Sequence, residues 1–365
     1  MLSLQRACLF VALAIVPSGA LASGPVLRIK QGNTLYFDQY KAASGLRYEA
    51  DGRLAIADLS KAWADAASIV IEGTLEIRRN NPLERVKEIL VSDSVTIAPG
   101  GRIVTNGNTL LIFANRFITQ NGATIVAFEP TKRKAGNGED AAGAGAAGNV
   151  SGANGGSGPT GSPGRPGESG GSVLVFTSSF NGPLSIDLSG QSGGDGGRGG
   201  PGGAGARGHK GEDAESTPAW CNRGGGKGGP GGNGGPGGQG GSGGAAGSGG
   251  DFHLFYVSST TVNPPVNPAV VVEAGSPGAG GQGGAGGSRG EGGEGGNGQG
   301  HCHGGDGGDP GAPGSSLGGG PTGALGSKGN QTILKLNAVA RIQQEFKTAV
   351  EQTKALQLPT VKVAQ

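Results

Sequence analysis

Apolar positions along this chain follow two different rules. From Val26 to Phe128 they come in short runs with partial alternation, which predicts β-strands at "VLRIK" (Val26 to Lys30), "TLYF" (Thr34 to Phe37), "RLAIADL" (Arg53 to Leu59), "SIVIEG" (Ser68 to Gly73) and "TLEIR" (Thr74 to Arg78). A helix fits "DLSKAWADAAS", where Asp58 or Ser60 caps and Leu59, Trp63 and Ala66 share a face. A rhythm then sets in at "SVTIAPGGRIVTNGNTLLIFANRFITQNGATIVAF" (Ser94 to Phe128), with strands of a few residues separated by "PGG", "NGN" and "NG" turns. That spacing fits hairpins or the coils of a parallel β-solenoid, with Val95, Ile97, Ile103, Leu110, Ile112, Phe117, Ile118, Ile125 and Val126 as its core.

Beyond Phe128 the apolar runs become islands in glycine. "SVLVFTS" (Ser172 to Ser178) and "PLSIDLS" (Pro183 to Ser189) follow a first glycine-rich excursion at 136–171. "FHLFYVS" (Phe252 to Ser258) and "AVVVEA" (Ala269 to Ala274) follow a second at 190–250, and "TILKLN" (Thr332 to Asn337) follows a third at 275–329. Three excursions that leave and rejoin one stack of strands are not distributed as linkers between independent domains.

Glycine supplies 82 of 365 residues, too many for one conventional core to account for the chain. Inside the excursions it keeps a period of three: Gly152 to Gly170, Gly190 to Gly211, Gly225 to Gly243, Gly275 to Gly296, and Gly305 to Gly329 with one miss at Leu317. Flexible linkers need no register. Three residues per turn is the period of polyproline II, and glycine along one edge lets a second backbone approach. "GSPGRPGES" (Gly161 to Ser169) looks like collagen, but Gly190 to Ala204 and Gly225 to Ala245 are mostly Gly-Gly-X, which lacks the imino acid of a triple helix and offers two glycine edges per helix. The second and third excursions split into matched limbs around "EDAESTPAWCNR" and "HCH"; the first splits less cleanly near Asn149 to Ser151. Three hairpins of this kind make six helices packed in one chain.

Over Gly136 to Gly329 the Gly-Gly-X register resembles the glycine-rich polyproline II bundles of certain antifreeze proteins, of phage receptor-binding tail tips and of the glycine-rich domain of one GTPase family. Those proteins share an architecture and differ in function, so the resemblance implies a fold and no activity.

The N-terminus reads as a signal peptide over residues 1–22: Arg6 precedes "ACLFVALAIV", and Ala20 and Ala22 occupy the small-residue cleavage positions. No later run reaches the ~20 apolar residues of a membrane helix, and Cys8 falls inside the leader. The expectation is an exported chain, secreted, on a surface or in a periplasm. A formal charge of +2 from 29 basic and 27 acidic residues argues against a nucleic-acid or anionic-membrane partner. A cell-surface glycan or protein, or an envelope matrix, fits better.

Cys221 and Cys302, an even pair in an oxidising compartment, each sit at the tip of a hairpin, so the expectation is a disulfide that pins the outer end of the bundle. A zinc site from Cys221, His301, Cys302 and His303, with His209, is the alternative, but the histidines flank a single residue and oxidation would consume the thiolates. "GGDGGDPGA" (Gly304 to Ala312) lacks both the apolar position and the recurrence of a calcium nonapeptide. No metal or other cofactor is expected. The chain holds no Gly-x-Ser-x-Gly elbow, HExxH or phosphate loop, and Asp93, Glu129 and Asp187 are too scattered for a glycosidic acid pair. Trp220, beside Cys221 and Pro218, is either an anchor for a partner or a cover for the disulfide.

The sequence therefore predicts an all-β protein: a β-solenoid or stacked-sheet body with long glycine-rich polyproline II bundle insertions and a short C-terminal helix. Its parts are a signal peptide (1–22), a β-rich region with one helix (23–93), the body with its hairpins (94–337), and the helix and tail (338–365). In the helix Val339, Ile342, Phe346, Ala349 and Val350 form one stripe, expected to cap the end of the sheets or else to dimerise. The functional expectation is a non-enzymatic, adhesin-like or structural surface protein whose binding tip holds Trp220, His209, His301 and His303. Ice binding is the alternative, opposed by the mixed, charged third positions such as Asp195, Arg198 and Arg207; a polysaccharide-acting β-helix enzyme ranks below it.

Overall fold

The structure is a computed structural model that describes residues 26–39, 68–78, 86–259 and 268–355. The predicted leader, the strand at Arg53 to Leu59 and nearly all of the helix at Asp58 to Ser68 lie outside the described residues. In chain order the strands are β1 (Val26–Ile29), β2 (Thr34–Tyr36), β3 (Ser68–Ile71), β4 (Thr74–Glu76), β5 (Lys87–Ile97), β6 (Arg102–Val104), β7 (Thr109–Thr119) and β8 (Thr124–Val126). They continue as β9 (Ser172–Asn181), β10 (Ser185–Asp187), β11 (Glu215–Ser216), β12 (Cys221–Arg223), β13 (Asp251–Ser259), β14 (Ala269–Val271) and β15 (Gln331–Lys335), followed by helix α1 (Val339–Ala355).

The strands form a seven-stranded sheet, β1-β3-β5-β7-β9-β13-β15, and a six-stranded sheet, β14-β10-β8-β6-β4-β2. Every pairing in the two is parallel. Hairpins, one of the two options the turn spacing left open, are thus excluded for this region. Each turn of chain puts one strand into the larger sheet and the next into the smaller one. β3 and β4 stack in these same sheets, and β5 runs straight through the expected 93/94 boundary.

In-register apolar columns close the space between the sheets. Leu35, Leu75, Ile103, Ile125 and Ile186 stack along the smaller sheet. Ile69, Val95, Phe117 and Phe180 stack along the larger one, and all nine are buried. Ile118 and Val126, expected in the core, are only half-buried, because successive strand residues face opposite sides and Phe117 and Ile125 already occupy the inside. The tight turns between strands need left-handed backbone, supplied by Gly100 at φ 78° and Gly122 at φ 84°.

β5 and β7, at 11 residues each, exceed the short strands expected. They turn a corner where the register skips Asp93 and Asn115, and the segments before the corner present a second apolar face outward. Val91, Phe113 and Phe176 lie on that face, and α1 covers them with Ile342 and Phe346. Phe346 stacks on Phe113 with centroids 4.4 Å apart and meets Phe176 edge-on at 5.4 Å. The helix therefore covers a sheet face rather than the sheet end expected from sequence, and Val339, at the start of its predicted stripe, is 39% exposed.

Between the strands the excursions form six limbs among the described residues: limb 1 (135–149), limb 2 (153–170), limb 3 (190–214), limb 4 (224–250), limb 5 (273–298) and limb 6 (304–329). Odd limbs leave the smaller sheet and even limbs return to the larger one. Limb 1 donates backbone hydrogen bonds to limb 3 (Ala135 to Ser192, Gly138 to Asp195) and limb 3 to limb 5 (Gly193 to Ser276, Gly196 to Ala279). Limb 2 likewise donates to limb 4 and limb 4 to limb 6. Across the layers run antiparallel bonds such as Gly194 to Arg165, Gly238 to Gly200 and Gly281 to Gly241, each at 2.7–2.9 Å. The outgoing layer thus continues the smaller sheet and the returning layer continues the larger one.

Most limb glycines are not there for left-handed backbone; between 135 and 329 only Gly143, Gly152, Gly171, Gly182 and Gly300 have positive φ. A Cβ on a buried limb glycine such as Gly238 would run into the backbone carbonyl of Pro159. Gly143 marks a slip: limb 1 donors step by three to Ala141 and then by four to Gly145, while acceptors on limb 3 keep stepping by three from Arg198 to Pro201. That extra residue is why the first excursion divides less cleanly in sequence.

Candidate functional site

The two outer faces of the bundle differ, and the difference comes from which limb contributes the third residue of each triplet. The outgoing layer presents Ser192, Asp195, Arg198, Arg207, Lys210 and Asp213 beside Gln282, Glu291 and Glu294. Ion pairs tie the limbs laterally, Lys134 to Asp195 at 2.6 Å and Arg207 to Glu294 at 2.6 Å, while Lys210 and Asp213 pair within limb 3 at 2.7 Å. The Lys134 ammonium and then the Ala279 amide hold the Asp195 carboxyl below its ordinary range, and Lys210 and the Asn297 amide do the same for Asp213.

The returning layer presents Asn154, Ser157, Thr160, Pro163, Pro166 and Ser169 on limb 2, and Asn233, Pro236, Gln239, Ser242, Ala245 and Ser248 on limb 4. Limb 6 continues with Ala312, Ser315, Gly318, Pro321, Ala324 and Ser327. Charge enters this face only toward the distal end, where Lys227 pairs with Asp309 at 3.2 Å. The charged third positions are therefore segregated on one side, a sorting hidden when the triplets are read as one list.

At the distal end limbs 3 and 4 are joined by the antiparallel pair β11–β12, and a disulfide links Cys221 to Cys302 with Cα atoms 4.9 Å apart. The turn inside it is fixed from within: Thr217 donates to the Trp220 carbonyl from its amide (2.9 Å) and its hydroxyl (3.1 Å), and the Trp220 amide donates to Thr217 Oγ1 at 3.2 Å. His301 closes on the same turn, its amide donating to Ser216 Oγ and its Nε2 lying 3.3 Å from the Pro218 carbonyl. Arg223 is drawn to Glu212 at 2.6 Å and Glu215 at 3.3 Å. The Trp220 side chain is left 66% exposed.

Of the residues singled out from sequence, the fold thus brings Trp220, Cys221, His301 and Cys302 together. His303 is exposed beside them, its carbonyl accepting the Gly225 amide. His209 stands back in limb 3, where its ring lies over Gly229 and its carbonyl accepts the Gly229 amide. Among the described residues no three His, Cys, Asp or Glu side chains gather as metal ligands. The scattered carboxylates each have their own arginine: Asp93 with Arg116 at 2.8 Å, Glu129 with Arg102 at 2.6 Å, and Asp187 with Arg133. Sequence reading missed a cleft of about 350 Å³ that gathers Glu76, Arg78, Asn106, Lys132, Glu168 and Gln191. Its residues come from five separate stretches of chain, so no local pattern announces it. Within it Asn106 Nδ2 donates to Glu76 Oε1 at 2.8 Å.

No helix among the described residues is long and apolar enough to cross a membrane. No protein-family model and no curated protein matches the chain. Among solved structures, the nine polyproline type II helical bundle springtail antifreeze protein from Granisotoma rainieri aligns at 24% identity, over 47% of this chain and 92% of that one. The TM-score of that alignment is 0.07, so it carries no argument about fold or function.

Proposed function

We propose that the chain is a β-solenoid carrying a six-helix polyproline II bundle, and that it acts outside the cytoplasm as a non-enzymatic, adhesin-like or structural surface protein. The observation that carries this reading is the distal hairpin: an exposed indole on a turn fixed by its own hydrogen bonds and by a disulfide, held away from the sheets by the full length of the limbs. At ~3.1 Å per residue limbs 3 to 6 form a rigid spacer, and a turn whose backbone is already fixed at Trp220 binds without first being ordered. A cell-surface glycan or protein is the partner this suits. The test is a binding screen of the mature protein against glycans and cells, with Trp220→Ala as the comparison; binding should be lost in the variant while its melting temperature stays within a degree or two. A variant that binds as the parent does would end the tip reading.

A second reading, ice binding, is favoured by one feature: the returning face is regularly spaced and carries small, almost uncharged residues, while the charges that argued against this activity lie on the opposite face. Thermal hysteresis of the purified protein separates the two readings. Enlarging Thr160 and Gln239 should abolish it if this face is the active one.

A further inference from the structure

Backbone-to-backbone hydrogen bonding between the limbs of each layer runs in one sense only. Limb 1 donates to limb 3 and limb 3 to limb 5; limb 2 donates to limb 4 and limb 4 to limb 6. The series ends at both sides of the bundle without being closed. On limb 5 the amides of Gly280, Gly283, Gly286, Gly292 and Gly295 stand where the limb 3 amides of Gly196, Gly199, Gly202, Gly208 and Gly211 make their bonds, and among the described residues they have no protein acceptor. On limb 2 the carbonyls of Ser157, Thr160, Pro163 and Pro166 stand where those of Pro236, Gln239, Ser242 and Ala245 on limb 4 accept, and among the described residues they have no donor. One edge of the bundle is a row of donors and the opposite edge a row of acceptors, with one spacing because both belong to the same repeat. The donor edge also carries the most exposed large apolar side chain among the described residues, Leu325 at 83%, with Leu334 of neighbouring β15 at 45%.

We infer that these two edges are an interaction surface for a second copy of this chain, which adds head to tail. Copies cannot add by simple translation, because the first turns of sheet in the incoming copy would fall where β9, β10, β13 and β14 already lie. A half-turn about the stacking direction removes that conflict by placing the two sets of sheets at opposite ends. It also exchanges the layers, so limb 6 meets limb 1 of the next copy and limb 5 meets limb 2. Each new pair is then parallel, as limb 3 and limb 5 are within one chain. The contact is heterologous: each copy keeps a free donor edge and a free acceptor edge, so growth is open-ended rather than stopping at a dimer.

Proline at the donor edge tests this without touching the core. Pro310 and Pro313 already occupy that triplet position on limb 6, so the backbone accepts proline there. Gly307→Pro with Ser316→Pro, both within the span that limb 1 of the next copy can reach, removes two donors unpaired among the described residues and no existing bond. In sedimentation velocity over a wide concentration range the mature wild-type chain should form a ladder of species. The double variant should assemble about tenfold more weakly or less still, as expected for losing two net hydrogen bonds, with an unchanged melting curve. Mixed with wild type at low ratio, it should shorten the assemblies by capping one end. A wild-type chain that stays monomeric at every concentration, or a discrete two-fold dimer insensitive to both prolines, overturns the inference. If the double variant melts early, Leu325→Lys on the same edge gives the same readout with the backbone intact.

Discussion

The side-chain oxygen of Asn154 accepts the backbone amide of Asn233 at 2.8 Å, and Asn233 in turn accepts the amide of Ala312 at 2.8 Å. Third-position amides point away from the glycine edges, and a short polar side chain from the preceding limb reaches them. Asn137 does this for Asp195, and Asp195 for Ala279. The ladders lock the axial register of the limbs, which the glycine contacts, identical in every triplet, leave free to slip. Asn154→Ala and Asn233→Ala should each destabilise the bundle by about 0.5–1 kcal/mol in urea unfolding, while Asn233→Asp, which keeps the acceptor, should cost less. Equal effects of Ala and Asp would remove the ladder from the account.

Glycines in the limbs should divide sharply by position. A Cβ on Gly238 meets the Pro159 carbonyl, whereas one on Gly318 meets nothing within 4 Å. Gly238→Ala should cost about 1–3 kcal/mol or more, the usual penalty for overpacking a filled interior, and Gly318→Ala should be neutral or slightly stabilising. Differential scanning calorimetry of the two variants decides it; parity between them would mean that close packing is not what the glycines provide.

Loss of the disulfide should act on the distal end first. The bond closes a loop with a sequence separation of 81, for which chain-entropy arguments give up to about 4 kcal/mol. Cys221→Ser with Cys302→Ser should raise amide exchange at Glu215–Arg223 and around Cys302 while Gly238 and its neighbours stay protected. Uniform deprotection of all six limbs would show that the bond holds the bundle as a whole.

Acid should loosen the charged face selectively. Asp195 and Asp213 are held below the ordinary carboxylate range, so the native state binds fewer protons than the unfolded chain once pH drops below about 4. Their contribution is complete above that value and is lost as pH falls through the depressed values. Asp195→Asn retains an acceptor for Ala279 and loses the Lys134 pair, so its melting temperature should vary less with acid than that of the parent. An unchanged pH profile would assign the acid response elsewhere.

Most strands of the two parallel sheets and the out-and-back division of the limbs were legible because both rest on short periods: alternation at Leu75 and Ile103, and glycine at every third position. The Cys221–Cys302 bond was legible because equal limb lengths bring those tips together. What could not be read was the sorting of side chains between layers, since Asp195 and Gln239 occupy the same triplet position and only their limb of origin separates them. The site of α1 was hidden for a similar reason: the outward face made by Val91, Phe113 and Phe176 exists only because β5, β7 and β9 continue past a corner. His209 looked like a tip residue by its distance in sequence from Trp220, yet the limb holds it over Gly229.

The sheets and the bundle are joined end to end but answer differently to temperature. Unfolding the sheets exposes the leucine, isoleucine and phenylalanine columns and so raises the heat capacity, whereas unfolding the limbs exposes mainly peptide groups, which lowers it. The bundle should therefore have a flatter stability curve than the body that carries it. Its cohesion does not rest on the apolar hydration that weakens in the cold, and cooling should erode the sheets before it erodes the limbs.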